Sequence, residues 1–387
     1  MPDSTIAPTA GRDTATNREI IQQPEIWRQT ARYIRDHREE INAFLTPQLS
    51  REGLRIIFTG AGTSSFAGEI AAPALARKLS RRIEAIATTD LVSNPANYLA
   101  EDIPTLLVSF ARSGNSPESG AATGIADQIL SDVSHLIITC DPAGDLYRDH
   151  SRKPNSLILL MPERSNDEGF AMTSSFTSML LASLLVFHGD NDSAVESVAA
   201  AADSLIASRE TIQSLVARDA ERIVYIGSGP LTGLARESAL KLLELTAGRI
   251  VTYFDSALGF RHGPKAVLND KTLAVVYVSS DPYTRRYDED IISELRASLG
   301  TDRVVTISCK SSSTASELSW VLDDVEGVDD VYLALAYVVF AQLFGLHYSV
   351  HLGATPDNPF PGGDVNRVVQ GVRIHPLFAG TEQQMGG

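Results

Sequence analysis

IIFTGAGTSSFAGEIAA, residues 56–72, has a counterpart in VYIGSGPLTGLARESA, residues 224–239, about 167 positions further along the chain. In each stretch an apolar run of strand type ends at a Gly-x-Gly turn, Gly60 and Gly62 in the first and Gly227 and Gly229 in the second, and a helix-like segment follows. Later apolar runs keep nearly the same offset: LLVSF from Leu106 answers to AVVYV from Ala274, and HLIITC from His135 answers to RVVTISC from Arg303. Apolar strands align easily, so the shared order of three of them carries more weight than any one.

Around the first copy, further strands are expected at Ile83 to Ala87, Thr105 to Phe110, Leu136 to Thr139 and Leu157 to Met161, with helix-like segments between most of them. Alternation of this kind implies right-handed crossovers and a parallel sheet. The expected fold is therefore α/β: two tandem copies, each a parallel sheet flanked by helices in a flavodoxin-like three-layer sandwich, with N-terminal helices and a C-terminal tail. The expected division is a disordered tail over 1–16, helices over 17–50, a first domain over 51–188, a helical linker over 189–220, a second domain over 221–345 and a tail over 346–387. Ile26, Ala31, Ile34, Ile41 and Phe44 stand near helical spacing in the N-terminal segment.

The composition agrees with two copies. At roughly 150 residues per domain, a chain of 387 residues holds two to three domains, and 43% apolar with 21% charged residues is ordinary for a globular protein. The 33 basic and 48 acidic residues give a formal charge of −15, which excludes nonspecific binding to nucleic acid. Cys140 and Cys309 are the only cysteines, so no disulfide framework is expected, and a reducing cytoplasm fits. The polar N-terminal stretch PDSTIAPTAGRDTATN lacks the apolar region of a signal peptide, and no run of 18 or more apolar residues suggests a membrane span.

Each copy opens with strand, Gly-x-Gly and helix, which points backbone N–H groups and the helix dipole at a common spot suited to an anion. The dinucleotide pattern G-x-G-x-x-G is absent: the next glycines are Gly68 and Gly233. A tight turn with no ligand is the plain alternative. SFARSGNSPESG, after the strand at Leu106, gathers Ser109, Arg112, Ser113, Asn115 and Ser116 before a helix, the donors a phosphate monoester needs. Ser113 and Ser116 are equally good helix caps. NDEGFAMTSSFTSM, from Asn166, adds Thr173, Ser174 and Ser175. Three such loops at strand carboxyl ends in one half suit a sugar phosphate.

In LTGLARESALKLLELTAG, Glu237, Lys241 and Glu244 fall on one helix face, opposite Leu234, Leu242 and Leu245. Such a stripe reads either as a solvated face held by an ion pair or as machinery. His262, in TYFDSALGFRHGPKAVLN, precedes a Gly-Pro turn and is flanked by Arg261 and Lys265; a loop histidine is structural or a proton shuttle. His347 and His351 have i, i+4 spacing but no nearby carboxylate, so no metal site is expected.

GAGTSS, SFARSGNSPES, EGFAMTSSFTSM, ESALKLLEL and GFRHGP, in this order, resemble the sugar isomerase (SIS) family of phosphosugar-binding domains. The likeness runs from about residue 51 to the C-terminal tail. It is similar to the isomerase half of glucosamine-6-phosphate synthase, and closer to AgaS-type galactosamine-6-phosphate deaminase/isomerases, also described as tagatose-6-phosphate ketose/aldose isomerases.

The resemblance implies that Arg112, Ser113, Asn115 and Ser116 hold the phosphate, that Thr63 and Ser64 touch the sugar, and that Thr173 and Ser174 complete the substrate site. Where the synthase motif has a hydroxyl, this chain has Ala111, which shifts weight to Arg112. It implies Glu244 as base with Lys241 beside it, and His262 as the ring-opening group, lent by a neighbouring subunit in a homodimer or higher homo-oligomer. The synthase's C-terminal lysine has no equivalent in TPDNPFPGGDVNRVVQGVRIHP, where Arg367 is the candidate substitute. No N-terminal glutaminase is recognisable.

The implied function is metal-independent and cofactor-free: a 2-amino-2-deoxyhexose 6-phosphate, with galactosamine 6-phosphate favoured, is converted to the ketose 6-phosphate and ammonia. The rivals are aldose/ketose isomerisation of a hexose 6-phosphate and a non-catalytic phosphosugar-sensing regulator. No nucleic-acid or membrane partner is implied. The clustered cations Arg112, Lys241, Arg261 and Lys265 are expected to draw in the phosphosugar.

Overall fold

A computed structural model of the chain describes residues 11–311 and 315–377. Three N-terminal helices, α1 (Ala15–Ile21), α2 (Gln23–Asp36) and α3 (Arg38–Leu49), precede the first sheet. The first half then runs β1 (Arg55–Thr59), α4 (Thr63–Leu79), β2 (Ile83–Ala85), α5 (Thr88–Ser93), α6 (Pro95–Tyr98), β3 (Thr105–Ala111), α7 (Pro117–Ile129), β4 (Val133–Thr139), α8 (Asp145–His150), β5 (Ser156–Leu160) and α9 (Ser174–His188). Helices α10 (Asp192–Ala207) and α11 (Arg209–Ser214) lead to the second half: β6 (Arg222–Gly227), α12 (Pro230–Leu245), β7 (Val251–Asp255), β8 (Thr272–Tyr277), α13 (Thr284–Leu299), β9 (Val304–Ser308), β10 (Ser319–Val321) and α14 (Asp330–His351).

The two sheets share one topology. The first has strand order β2-β1-β3-β4-β5 and the second, read from β7, has β7-β6-β8-β9-β10; every pairing is parallel. The repeat persists at the level of backbone torsion. Gly62, before α4, has φ 55° and ψ −127°, and Gly229, before α12, has φ 59° and ψ −129°. Only glycine occupies that region without strain, which is why both turns keep one there.

Strand alternation explains why the strands read as unbroken apolar runs: both sheet faces are covered. Ile56 and Phe58 of β1, with Ile223 and Tyr225 of β6, point into one continuous core shared by both halves. Ile57 packs under α5 and α7, and Val224 and Ile226 pack under α13. Ile26, Ala31, Ile34 and Ile41 are buried as their spacing predicts, with Phe44 half-buried.

Helix α14 lies in the middle of this core. By length and composition it could cross a membrane, but 89% of its most apolar window is buried in the protein. Polar Gln342 breaks the run in the sequence, and in the fold it bonds Gln23 of α2 at 2.6 Å.

The structure departs from the expected boundaries at both ends. The expected tail over 1–16 lies outside the described residues as far as residue 10, but Ala15 and Thr16 already belong to α1, capped by Thr14. Helix α14 runs through the expected boundary at 345. The last ten residues of the expected 346–387 tail, 378–387, also lie outside the described residues. Cys140 and Cys309 are free and buried.

Candidate active site

The loops after β1 and β3, together with the C-terminal tail, enclose a cleft of about 100 Å³. Ala61, Ser64, Ala111, Arg112, Ser113 and Ser116 line it on one side, Met172 and Arg367 on the other. This is the point where the strand order reverses, so β1 and β3 diverge and leave room between their loops. A larger surface cleft of about 420 Å³ occupies the corresponding place in the second half, at Ser228, Gly229, Ser280 and Asp281.

The two clefts differ in what fills their donors. In the second half the chain's own carboxylates take the loop: Asp288 accepts from Ser228 Oγ at 2.6 Å and Ser279 N–H at 2.9 Å, and Asp330 accepts from Ser279 Oγ at 2.5 Å and Ser280 N–H at 2.6 Å. Burial pushes Asp288 up to about 6 and raises Asp330 as well, although these hydrogen bonds pull both down. In the first half, among the described residues, no acidic side chain lines the cleft. Its cation is Arg112, only 6% exposed, whose guanidinium donates to Phe170 O at 3.4 Å and Arg367 O at 2.8 Å. Burial first, and the Arg367 cation second, lower its proton affinity. Two neighbouring guanidiniums bound to carbonyls keep donors free for a dianion.

The polar stripe of α12 is not a solvated face. Lys241 is 1% exposed and Glu237 is fully buried, because α12 is wedged between α4 and α14 where the two halves meet. Lys241 Nζ lies 2.5 Å from Glu244 Oε2 and 3.6 Å from Glu237 Oε1. Burial opposes the lysine's charge, but the two carboxylates outweigh it and raise its proton affinity.

Among the described residues neither oxygen of Glu237 has a hydrogen-bond partner, although Thr63 stands beside it. Burial, partly countered by Lys241, raises it to about 8. At neutral pH burial therefore favours the protonated form of Glu237. Arg112 is near enough for its charge to act on Glu244 and Lys241, although none of the three stripe residues lines the cleft.

Several expected site residues have other partners. Thr173 and Ser174 are buried at the start of α9, where Asp167 accepts from Thr173 N–H at 2.8 Å, Thr173 Oγ1 at 2.8 Å, Ser174 N–H at 3.0 Å and Ser175 N–H at 2.9 Å. Ser174 Oγ donates to Glu19 O at 2.7 Å. Their donors are spent within the chain. Asn115 is exposed, and its Oδ1 accepts from Asp145 N–H at 3.0 Å at the start of α8. Ser116 pairs with Ser119 at 2.6 Å.

His262 is exposed on the loop after β7 and does not line the cleft of its own chain. Arg261 and Lys265 are both engaged by Glu294 of α13, Arg261 at 2.7 Å, so one carboxylate offsets part of the pull on the phosphosugar expected of those two cations. Arg367 does reach the cleft, its guanidinium donating to Asp167 O.

Glu237, Asp167 and Ser119 were not singled out as site residues. Glu237 carried a signal in its i, i+4 spacing to Lys241; Asp167, six residues before Thr173, carried none. Among the described residues no group of three or more His, Cys, Asp or Glu side chains is arranged to hold a metal ion.

A protein of Streptomyces coelicolor, provisionally named D-galactosamine-6-phosphate deaminase AgaS, is 57% identical over 367 residues, covering 94% of this chain and 95% of its own. The D-galactosamine-6-phosphate deaminase AgaS of Escherichia coli is 46% identical over 384 residues, covering 98% of this chain and 100% of its own. The crystal structure of tagatose-6-phosphate ketose/aldose isomerase from Escherichia coli superposes with a TM-score of 0.89 at 45% identity, covering 96% of this chain and 98% of the other. The SIS domain matches residues 48–189 and 217–352, one match for each sheet, and the chain belongs to the SIS domain family.

Proposed function

We propose that the protein is a deaminase/isomerase that converts galactosamine 6-phosphate to tagatose 6-phosphate and ammonia. The observation that carries this reading is the buried Glu237–Lys241–Glu244 stripe sharing a field with Arg112, on a chain 46% identical to a named galactosamine-6-phosphate deaminase.

In this reading Arg112, Ser113, Ser116 and Ser64 receive the phosphate, with Arg367 closing over it from the tail and Asn115 and Thr63 shaping the loops. Thr173 and Ser174 enter as supports of that wall. Glu244 removes the C2 proton of the open-chain aldehyde, leaving an enolamine, and returns the proton to C1. The product is a ketimine at C2; water adds there, the C–N bond breaks, and ammonia leaves with the ketose behind. Lys241 serves as the counter-ion of Glu244 before the first transfer and after the second. A positioned base contributes on the order of a hundred- to ten-thousand-fold.

His262 assists ring opening from a second copy of the chain. Its exposure within its own chain supports a site completed across a homodimer. A cytoplasmic setting, with no nucleic-acid or membrane partner, fits free buried cysteines and an acidic chain.

The same proton transfer serves plain aldose/ketose isomerisation, and the structural likeness to a tagatose-6-phosphate ketose/aldose isomerase favours that as the second reading. A coupled ammonia assay separates them. Galactosamine 6-phosphate should release stoichiometric ammonia; interconversion of tagatose 6-phosphate with no ammonia from the amino sugar would replace the deaminase reading with the isomerase one.

A further inference from the structure

Helix α1 lies outside both sheets and contributes no residue to the cleft, yet it holds two segments that frame it. Glu19, 6% exposed, accepts from Glu168 N–H at 2.5 Å and from Gly169 N–H at 3.2 Å. The carbonyls on either side of this grip are the ones that orient the two guanidiniums: Asp167 O receives Arg367, and Phe170 O receives Arg112. The approach is too close for a side chain at position 169, where a Cβ would stand 2.8 Å from Thr16 Oγ1 and 2.9 Å from Glu19 Oε2. At its start α1 also binds the tail: Asp357 accepts from Ala15 N–H at 2.8 Å, Thr16 N–H at 2.8 Å and Thr16 Oγ1 at 2.7 Å. The tail then runs on to Arg367, whose carbonyl is the second acceptor of Arg112.

We propose that Glu19 is a positioning residue for phosphosugar binding: by clamping residues 168 and 169 it fixes the flanking carbonyls that aim Arg112 and Arg367 into the cleft. The inference rests on the reading of that cleft as the phosphate site. A carboxylate acceptor makes the stronger clamp, since charge-assisted hydrogen bonds are about twice as strong as neutral ones. Burial, the Asp167 carboxylate of the loop and Asp357 of the tail raise Glu19 to about 7, against the pull of the two loop N–H groups. Ser174 of α9, which is neutral, bonds the backbone carbonyl of Glu19 and not its carboxyl group. The clamp therefore weakens as pH falls through neutrality.

Inorganic sulfate, dianionic throughout, serves as the probe by titration calorimetry between pH 5.5 and 8.5, beside steady-state ammonia release. Glu19→Ala should raise the sulfate Kd and the KM for galactosamine 6-phosphate on the order of tenfold, with kcat within about twofold, as expected for misaimed binding groups. Glu19→Gln, which keeps an acceptor oxygen, should recover most of the affinity at pH 6 but lose the wild-type gain above pH 7. A folded Glu19→Ala with lowered Tm and unchanged sulfate Kd would reduce Glu19 to a stability role and overturn the proposal. If that variant does not fold, Glu19→Gln decides alone, and a pH profile identical to wild type overturns it. A wild type that binds sulfate with the expected Glu19 dependence but releases no ammonia supports the clamp while removing the deaminase reading.

Discussion

Lys241 sits unequally between its neighbours, 2.5 Å from Glu244 and 3.6 Å from Glu237, with its own charge almost wholly out of water. The nearer carboxylate is the one partly open to solvent, and the farther is sealed. Charge balance then assigns the roles, since a buried ion without a counter-ion costs several kcal/mol. Glu244→Gln should keep phosphosugar affinity within about twofold and lower kcat at least a hundredfold. Lys241→Met should destabilise the fold by about 3 kcal/mol, because Glu244 loses its counter-ion. Chemical denaturation and ammonia release measure the two effects, and full turnover in Glu244→Gln would strip that residue of its role.

Glu237 makes stability depend on pH with a definite sign. Its folded value, about 8, lies above the ordinary glutamate value of 4.5, so the folded state binds more protons between those limits. The contribution is complete below pH 4.5 and is lost as pH rises through 8. Wild type should weaken relative to Glu237→Gln over that interval in urea titrations at pH 5, 6.5, 8 and 9. Parallel curves would show that Glu237 does not titrate in the fold.

A second buried cluster has the opposite slope. His135 and His150 meet edge to face at 4.8 Å at the amino end of β4 and β5, with Asp127 2.7 Å from His135 and Lys153 2.9 Å from Asp127. Burial pushes His150 down to about 3, and the unfolded chain therefore binds more protons between 3 and 6.5. Stability from this site is complete above pH 6.5 and falls as the solution is acidified. His150→Phe keeps the ring contact and loses the 2.9 Å hydrogen bond to Ser156, at a cost of about 1 kcal/mol at pH 7. Thermal unfolding should show the variant less sensitive than wild type between pH 6.5 and 4; equal sensitivity would place the acid response elsewhere.

The matched turns offer a comparison within one molecule. Gly62→Ala and Gly229→Ala should each destabilise by about 1–3 kcal/mol, since both force alanine into a region it avoids. Only Gly62→Ala should also raise KM, because its turn borders the open cleft. Equal effects on KM would mean that the second turn also bears on substrate.

Much of the architecture was legible in the chain. The repeat at Gly60/Gly62 and Gly227/Gly229 gave two sheets of one topology, because a turn that only glycine can make leaves a mark in the sequence. Lys241 and Glu244 were legible for a similar reason: helical spacing places them. The roles of Thr173, Ser174 and Asn115 were less visible, since a hydroxyl or amide that caps a helix has the same letter as one that meets a ligand. Asp167 occupies the α9 start from a loop six residues away, and Glu294 balances Arg261 from about 30 residues away. No local pattern records such distant partners. The work of α1 was hidden for the same reason, since Glu19 acts on a loop nearly 150 residues later.

Asp288 and Asp330 give the duplication an asymmetric outcome. By accepting from Ser228, Ser279 and Ser280, they set the chain's own carboxyl groups at a place where, among the described residues, the first-half cleft has none. The two halves therefore differ in what lines their clefts, carboxylates in the second and a buried arginine in the first. With Arg112 as the proposed partner of the phosphate, the calorimetric stoichiometry should be one per chain.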